Sequence, residues 1–146
     1  MVMKRLAVIC FLGVAMVSTF AVADTSPRKV FECSVNQTMN FSISIDQAKG
    51  GLILYKSIAN KSPVLQRIKP QDYRVEHYHR ALVDEKSLEF SIGERVILVS
   101  EYFSEEFDEV EKILSVTLIE PEQTQYFECE EGSRSNLALL FRESTE

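Results

Sequence analysis

Met39-Asn40-Phe41-Ser42-Ile43-Ser44-Ile45 alternates apolar and polar residues without an exception. A half-buried β-strand has a side-chain period of two, so residues 39, 41, 43 and 45 are expected on a core and 40, 42 and 44 on the opposite face. Asp46-Gln47-Ala48-Lys49-Gly50-Gly51 follows, and its two glycines can take the positive φ that a reversing chain requires. Leu52 to Ile58 then returns as the hairpin partner, with Tyr55 and branched residues suited to a pleated surface.

The same grammar continues downstream. Asn60-Lys61-Ser62-Pro63 reads as a loop, Val64 to Ile68 as a short strand and Lys69-Pro70-Gln71-Asp72 as a turn. Tyr73 to Val83 reads as a longer strand with Tyr73, Val75, His77, His79, Ala81 and Val83 on one face, turned by Asp84-Glu85-Lys86 into Leu88, Phe90 and Ile92. Gly93-Glu94 turns again into Arg95 to Phe103, whose Val96-Ile97-Leu98-Val99 run predicts a strand covered on both faces. Ser104 to Glu111 is read as a hairpin loop with one helical turn, because its crowded carboxylates would repel one another in a longer helix. Lys112 to Ile119, Gln125 to Glu130 and a last strand around Leu137 to Phe141 complete the set, with turns at Pro121 to Thr124 and Glu131-Gly132. About eight to ten strands with short connections predict an all-β fold, a single small antiparallel β-barrel or sandwich.

An N-terminal signal peptide is expected over residues 1–23. Lys4 and Arg5 form a positive start, Leu6 to Val22 carries no charge, and Ala21-Val22-Ala23 places small residues where a signal peptidase reads. The polar Asp24-Thr25-Ser26-Pro27 that follows fits a processing site better than a membrane exit, so no membrane span is expected in the mature form. Residues 24–146 then make one antiparallel β domain in a periplasmic or secreted protein. With Cys10 in the leader, Cys33 and Cys129 are the two remaining cysteines, and an oxidising compartment predicts one disulfide between them. Each follows Phe-Glu, in Phe31-Glu32-Cys33 and Phe127-Glu128-Cys129, so Phe and Cys share the core face of each strand. A bridge between first and late strands favours a sheet that closes into a barrel.

Charge excludes one class of partner. The whole chain carries a net −6, and removing Lys4 and Arg5 makes it −8, so nucleic acid is an unsuitable ligand. The charge is also uneven: Glu101, Glu105, Glu106, Asp108, Glu109 and Glu111 crowd one stretch. Residues 105 to 111 form a candidate acidic loop for a cationic protein, since a negative face speeds such an encounter; solubility and edge protection are the plainer use. The loop lacks the glycine and the Asp/Asn spacing of an EF-hand, so calcium is not expected.

Enzyme constellations are missing. The chain has no Gly-x-Ser-x-Gly elbow, His-Glu-x-x-His helix, Cys-x-x-Cys pair or Gly-rich phosphate loop, and the bridge consumes both thiols. No cofactor and no catalytic residue are expected. His77-Tyr78-His79 places two imidazoles on one strand face, where they bind metal if a further ligand arrives from a neighbouring strand; otherwise they are a solvent-facing pair, and no metal is expected. Asn36, Asn40 and Asn60 each head an N-glycosylation sequon, read here as coincidence in a bacterial-looking chain.

These readings lead to an exported, non-enzymatic binding protein that holds a small apolar ligand in its barrel or sandwich. The alternative is an acidic inhibitor or immunity-type protein that caps a cationic cell-wall hydrolase. In its signal peptide, small antiparallel β-barrel and cysteine near each end of the domain, the layout resembles the bacterial inhibitors of C-type lysozyme. That family's Ser-Gly-x-x-Tyr segment and aromatic-rich Lys-Gly segment are missing from this chain, so no functional residue is carried over.

Overall fold

In the computed structural model, residues 21 and 26–143 are described. The leader expected over residues 1–23 lies outside them but for Ala21, as do residues 24, 25 and 144–146 of the expected domain. No helix among the described residues is long and apolar enough to cross a membrane.

Among the described residues, ten strands form two antiparallel five-stranded sheets. The first contains β1 (Arg28–Val35), β2 (Met39–Ile45), β3 (Leu52–Ile58) and β4 (Val64–Ile68), with the two-residue β10 (Arg134–Ser135) beside β1. The second is a meander of β5 (Tyr73–Arg80), β6 (Val83–Ile92), β7 (Arg95–Ser104), β8 (Glu111–Ile119) and β9 (Thr124–Glu128). The described ladders do not join β4 to β5, so the sheets make a sandwich in place of a closed barrel. A short 3-10 turn at Pro70–Asp72 carries the chain from one sheet to the other.

The quoted stretch pairs as its alternation requires. Phe41, Ile43 and Ile45 face Lys56, Leu54 and Leu52 across the β2–β3 hairpin, and Phe41 and Ile43 are 2% and 0% exposed. The hairpin turn is held by the buried Asp46, whose Oδ1 accepts from the backbone N–H groups of Ala48 (3.1 Å) and Lys49 (3.2 Å) while Oδ2 pairs with Arg67 of β4. Gly51 has φ +80°, and a Cβ there would lie 2.2 Å from the Ile68 carbonyl oxygen, so this position admits no side chain. Asn36 and Asn60, heads of two of the sequons, also take positive φ (50° and 63°), which Asn tolerates better than most residues. Asn40 accepts a 2.7 Å hydrogen bond from the Ser34 hydroxyl at its side-chain oxygen.

Leu88, Phe90, Ile97, Val99, Val116 and Leu118 supply the second sheet's half of the core, opposite Phe31, Phe41, Ile43, Leu52 and Leu54. Both Val30 and Phe31 are 1% exposed, because an irregularity in the β1–β2 register between Lys29 and Phe31 turns consecutive side chains inward. Cys33 and Cys129 form the expected disulfide, with Cα atoms 5.2 Å apart. Around it the Cys129 N–H bonds the Leu114 carbonyl of β8 and the Glu130 N–H bonds the Ser34 carbonyl of β1, so the chain passes between sheets at the bridge.

Three expectations need correction. The strand expected over Tyr73 to Val83 ends at Arg80, and Asp84-Glu85-Lys86 is no turn but lies inside β6. The reversal is a two-residue turn at Ala81-Leu82, anchored from outside by the Glu105 N–H on the Leu82 carbonyl and followed by Val83, which buries itself (4% exposed). Residues 137–141 are not a strand: α1 (Ala138–Glu143) forms there, because Asn136 makes the last backbone bond to β1 and an Ala-Leu-Leu run favours a helical turn that buries Leu137 and Leu140. The Val96-to-Val99 run is fully covered on one face only, with Ile97 and Val99 buried and Val96 and Leu98 half-buried.

Candidate functional site

The inner face of the sandwich is apolar in its middle and polar at both ends. On β3 the inward row reads Leu52, Leu54, Lys56, and on β4 the partners of these three are Ile68, Gln66 and Val64. On the other sheet Leu88, Phe90 and Ile92 of β6 lie opposite Val99, Ile97 and Arg95 of β7. A strand position that its neighbours mark as core is therefore filled by a lysine, and a second by an arginine. Local departures of this kind from the binary pattern concentrate at functional sites.

These residues line an open cleft of about 490 Å³ between the sheets, with Leu54, Ile92 and Ile97 on its floor and Lys56, Arg95 and Glu120 around it. Volumes of roughly 300–1,000 Å³ with apolar walls and few polar groups are typical of small-molecule sites. Arg95 Nε donates to Glu120 Oε1 at 2.6 Å, so that pair neutralises itself. Lys56 Nζ lies 5.4 Å from the centre of the Phe41 ring, and no ion pair of Lys56 occurs among the described residues. Burial, then the positive charges of Arg95 and Lys61, push the Lys56 amine below the usual lysine range, against the opposing pull of Glu120. The ammonium is thus half-desolvated, next to apolar surface, with an aromatic face as its described partner.

At the opposite end the inward row of β5 continues past Tyr73 and Val75 into His77 and His79. The Ala81-Leu82 turn places them beside Lys86 and Asp84 of β6. His77 Nε2 lies 2.5 Å and His79 Nδ1 3.2 Å from the same Asp84 Oδ1, and Lys86 pairs with Asp84 Oδ2. Burial resists ionisation of Asp84, but hydrogen bonds from Lys86, His77 and His79 outweigh it and hold the carboxyl well below the usual range. The Phe141 ring of α1 stands 5.5 Å from the His77 ring, so the helix flanks this end. The sequence reads Asp84 as part of a turn, where no cross-strand partner exists, whereas its place in β6 sets it opposite His79.

The acidic stretch is the β7–β8 connection, containing a 3-10 turn at Glu106–Asp108, except for Glu111, which is the first residue of β8 and pairs with Ser104. Glu105, Asp108, Glu109 and Glu111 are exposed, whereas Glu106 is half-buried and accepts from Arg80 at 2.8 Å. Phe107 projects from their midst, 93% exposed, with φ +61°, and Asp108 follows at +59°. Among the described residues, His77, His79 and Asp84 bring three possible metal ligands together; these loop carboxylates do not.

Lys56 and Arg95 are likewise residues that no motif in the sequence singles out. The signal was present for Lys56: Leu52, Leu54, Lys56 and Ile58 share one parity, and a charged residue interrupts an otherwise apolar row. Compared with known proteins, the chain matches no family model, no curated protein and no solved structure.

Proposed function

We propose that this chain is an exported, non-enzymatic binding domain whose inter-sheet cleft takes up a small amphipathic anion, apolar at one end and carboxylate-like at the other. The observation that carries this reading is Lys56, an inward-facing ammonium beside the apolar floor of Leu54 and Ile97, in contact with an aromatic ring and in no ion pair among the described residues. An anionic ligand group would pair directly with Lys56 in a site of reduced polarity, where the attraction is stronger than in water. The acyl or aromatic remainder would cover Ile92 and Ile97. A disulfide between Cys33 and Cys129 is compatible with a compartment outside the cytosol, and the periplasm or the extracellular medium is the proposed location.

Calorimetric titration with dodecanoate and with dodecyltrimethylammonium tests the proposal. The carboxylate is expected to bind saturably with one site and the cation to bind at least about tenfold more weakly, a gap of about 1.4 kcal/mol. Lys56→Met should abolish the preference. Equal binding of both amphiphiles, or of neither, refutes the reading.

A second reading rests on Phe107. A bulky side chain held outward by positive φ stores backbone strain, and such strain concentrates at ligand clamps and binding loops. With Glu105, Asp108 and Glu109 around it, the loop is suited to inserting an aromatic anchor into a basic cleft, as an inhibitor of a cationic cell-wall hydrolase would. Lysozyme activity unchanged by a large molar excess of the protein removes that reading's leading example.

A further inference from the structure

We infer that His77, His79 and Asp84 form a binding site for a divalent transition-metal ion of the copper, nickel and zinc class. This site is independent of the cleft, lying at the other end of the sandwich. One ring nitrogen of His77, one of His79 and an Asp84 carboxylate oxygen all lie within 4.8 Å of one another. Metal–nitrogen and metal–oxygen bonds of about 2.0–2.2 Å require ligand atoms roughly 3–3.5 Å apart around a tetrahedral centre. The 3.2 Å separation of His79 Nδ1 from Asp84 Oδ1 already has that value, and the 2.5 Å separation of His77 Nε2 needs a small outward rotation of the ring.

The scaffold favours this use. All three ligands stand on one antiparallel hairpin closed by two residues, so little chain entropy remains to be lost on binding. Lys86 holds Asp84 Oδ2, which aims Oδ1 at the imidazoles, and Phe141 flanks the His77 ring. The imidazoles are 40% and 69% exposed, leaving the remaining coordination positions to water. Two nitrogens and one carboxylate select a borderline cation, whereas calcium and magnesium prefer oxygen ligands.

The test uses tag-free protein titrated calorimetrically with copper, nickel, zinc and calcium salts. One saturable site is expected for the first three, tightest for copper, with no heat from calcium. His77→Ala and Asp84→Asn should each weaken binding by about tenfold or more. Paramagnetic resonance of the copper-loaded wild-type protein should show two nitrogen ligands, a readout that survives if a variant fails to fold. Absence of a one-to-one site, or an Asp84→Asn variant that binds as tightly as wild type, overturns the assignment.

Discussion

Replacing both bridging cysteines, as Cys33→Ala with Cys129→Ala, should destabilise the domain by about 3–5 kcal/mol. The bridge closes a loop of 96 residues between β1 and the end of β9. Treated as a constraint on the unfolded chain, a loop of that length corresponds to an entropy of about 16 cal/mol/K, or ~4.7 kcal/mol at room temperature. Cys33 is 2% exposed, so its truncation also removes buried sulfur contacts, on the order of 1 kcal/mol. Two effects act the other way: the hydrogen bonds of Cys129 to Leu114 and of Glu130 to Ser34 still guide the crossing, and a real unfolded chain is more compact than the random coil assumed. Against a total stability of about 5–15 kcal/mol, the variant should remain folded or sit near its threshold, with a melting temperature lowered by roughly 10–20 °C. Urea unfolding followed by circular dichroism measures this, since the chain has no tryptophan to report by fluorescence. The denaturant slope should increase in the variant, because an unbridged unfolded chain exposes more surface. A loss below about 1 kcal/mol with an unchanged slope would show that the sheets hold both extremities without the bridge, and the entropic argument would fail.

Lys56→Met should raise stability at neutral pH by about 0.5–1 kcal/mol, as substitutions that relieve a strained functional position commonly do. Because the folded state depresses the Lys56 pKa, this advantage should shrink in urea titrations as pH rises through that lowered value toward the ordinary ~10.4. Asp46→Ala should cost about 2–4 kcal/mol in thermal melts, since it strips the hydrogen bonds from the β2–β3 turn and leaves Arg67 unpaired; a loss under about 0.5 kcal/mol would contradict the role given to that carboxylate. Asp84 is depressed in the folded state, so its contribution is present above the ordinary aspartate value near ~3.9 and lost as pH falls toward the folded pKa. The stability gap between wild type and Asp84→Asn should therefore narrow on acidification, and a gap independent of pH would refute it.

Strands bounded by clear turn residues are legible in the sequence, and the strict alternation of Met39–Ile45 also gives its two faces residue by residue. Met39–Ile45, Leu52–Ile58 and Val64–Ile68 have the boundaries that their patterns and flanking turn residues specify. The β5–β6 reversal was not legible, because Ala81-Leu82 carries neither glycine nor asparagine, whereas Asp84-Glu85-Lys86 looks like turn chemistry. Its position is decided by contacts from elsewhere, the burial of Val83 and the bond from Glu105. Residues 137–141 misled for a related reason: a short apolar run has no period, so burial and local propensity chose helix over strand. The candidate sites inherit these limits. His77 and His79 were visible as a pair on one face, but Asp84 joined them only once the register was known.

From the chain alone came an antiparallel all-β domain, the partners in the disulfide and the acidic β7–β8 loop, because side-chain period, cysteine arithmetic and charge runs are local or countable properties. Tertiary structure decided that the sheets stay two, that Lys56 faces inward over Leu54 and Ile97, and that three ligand atoms converge at Asp84. These depend on which residues lie opposite one another across strands and between layers, and a shift of one residue in register would turn every such side chain to the other face.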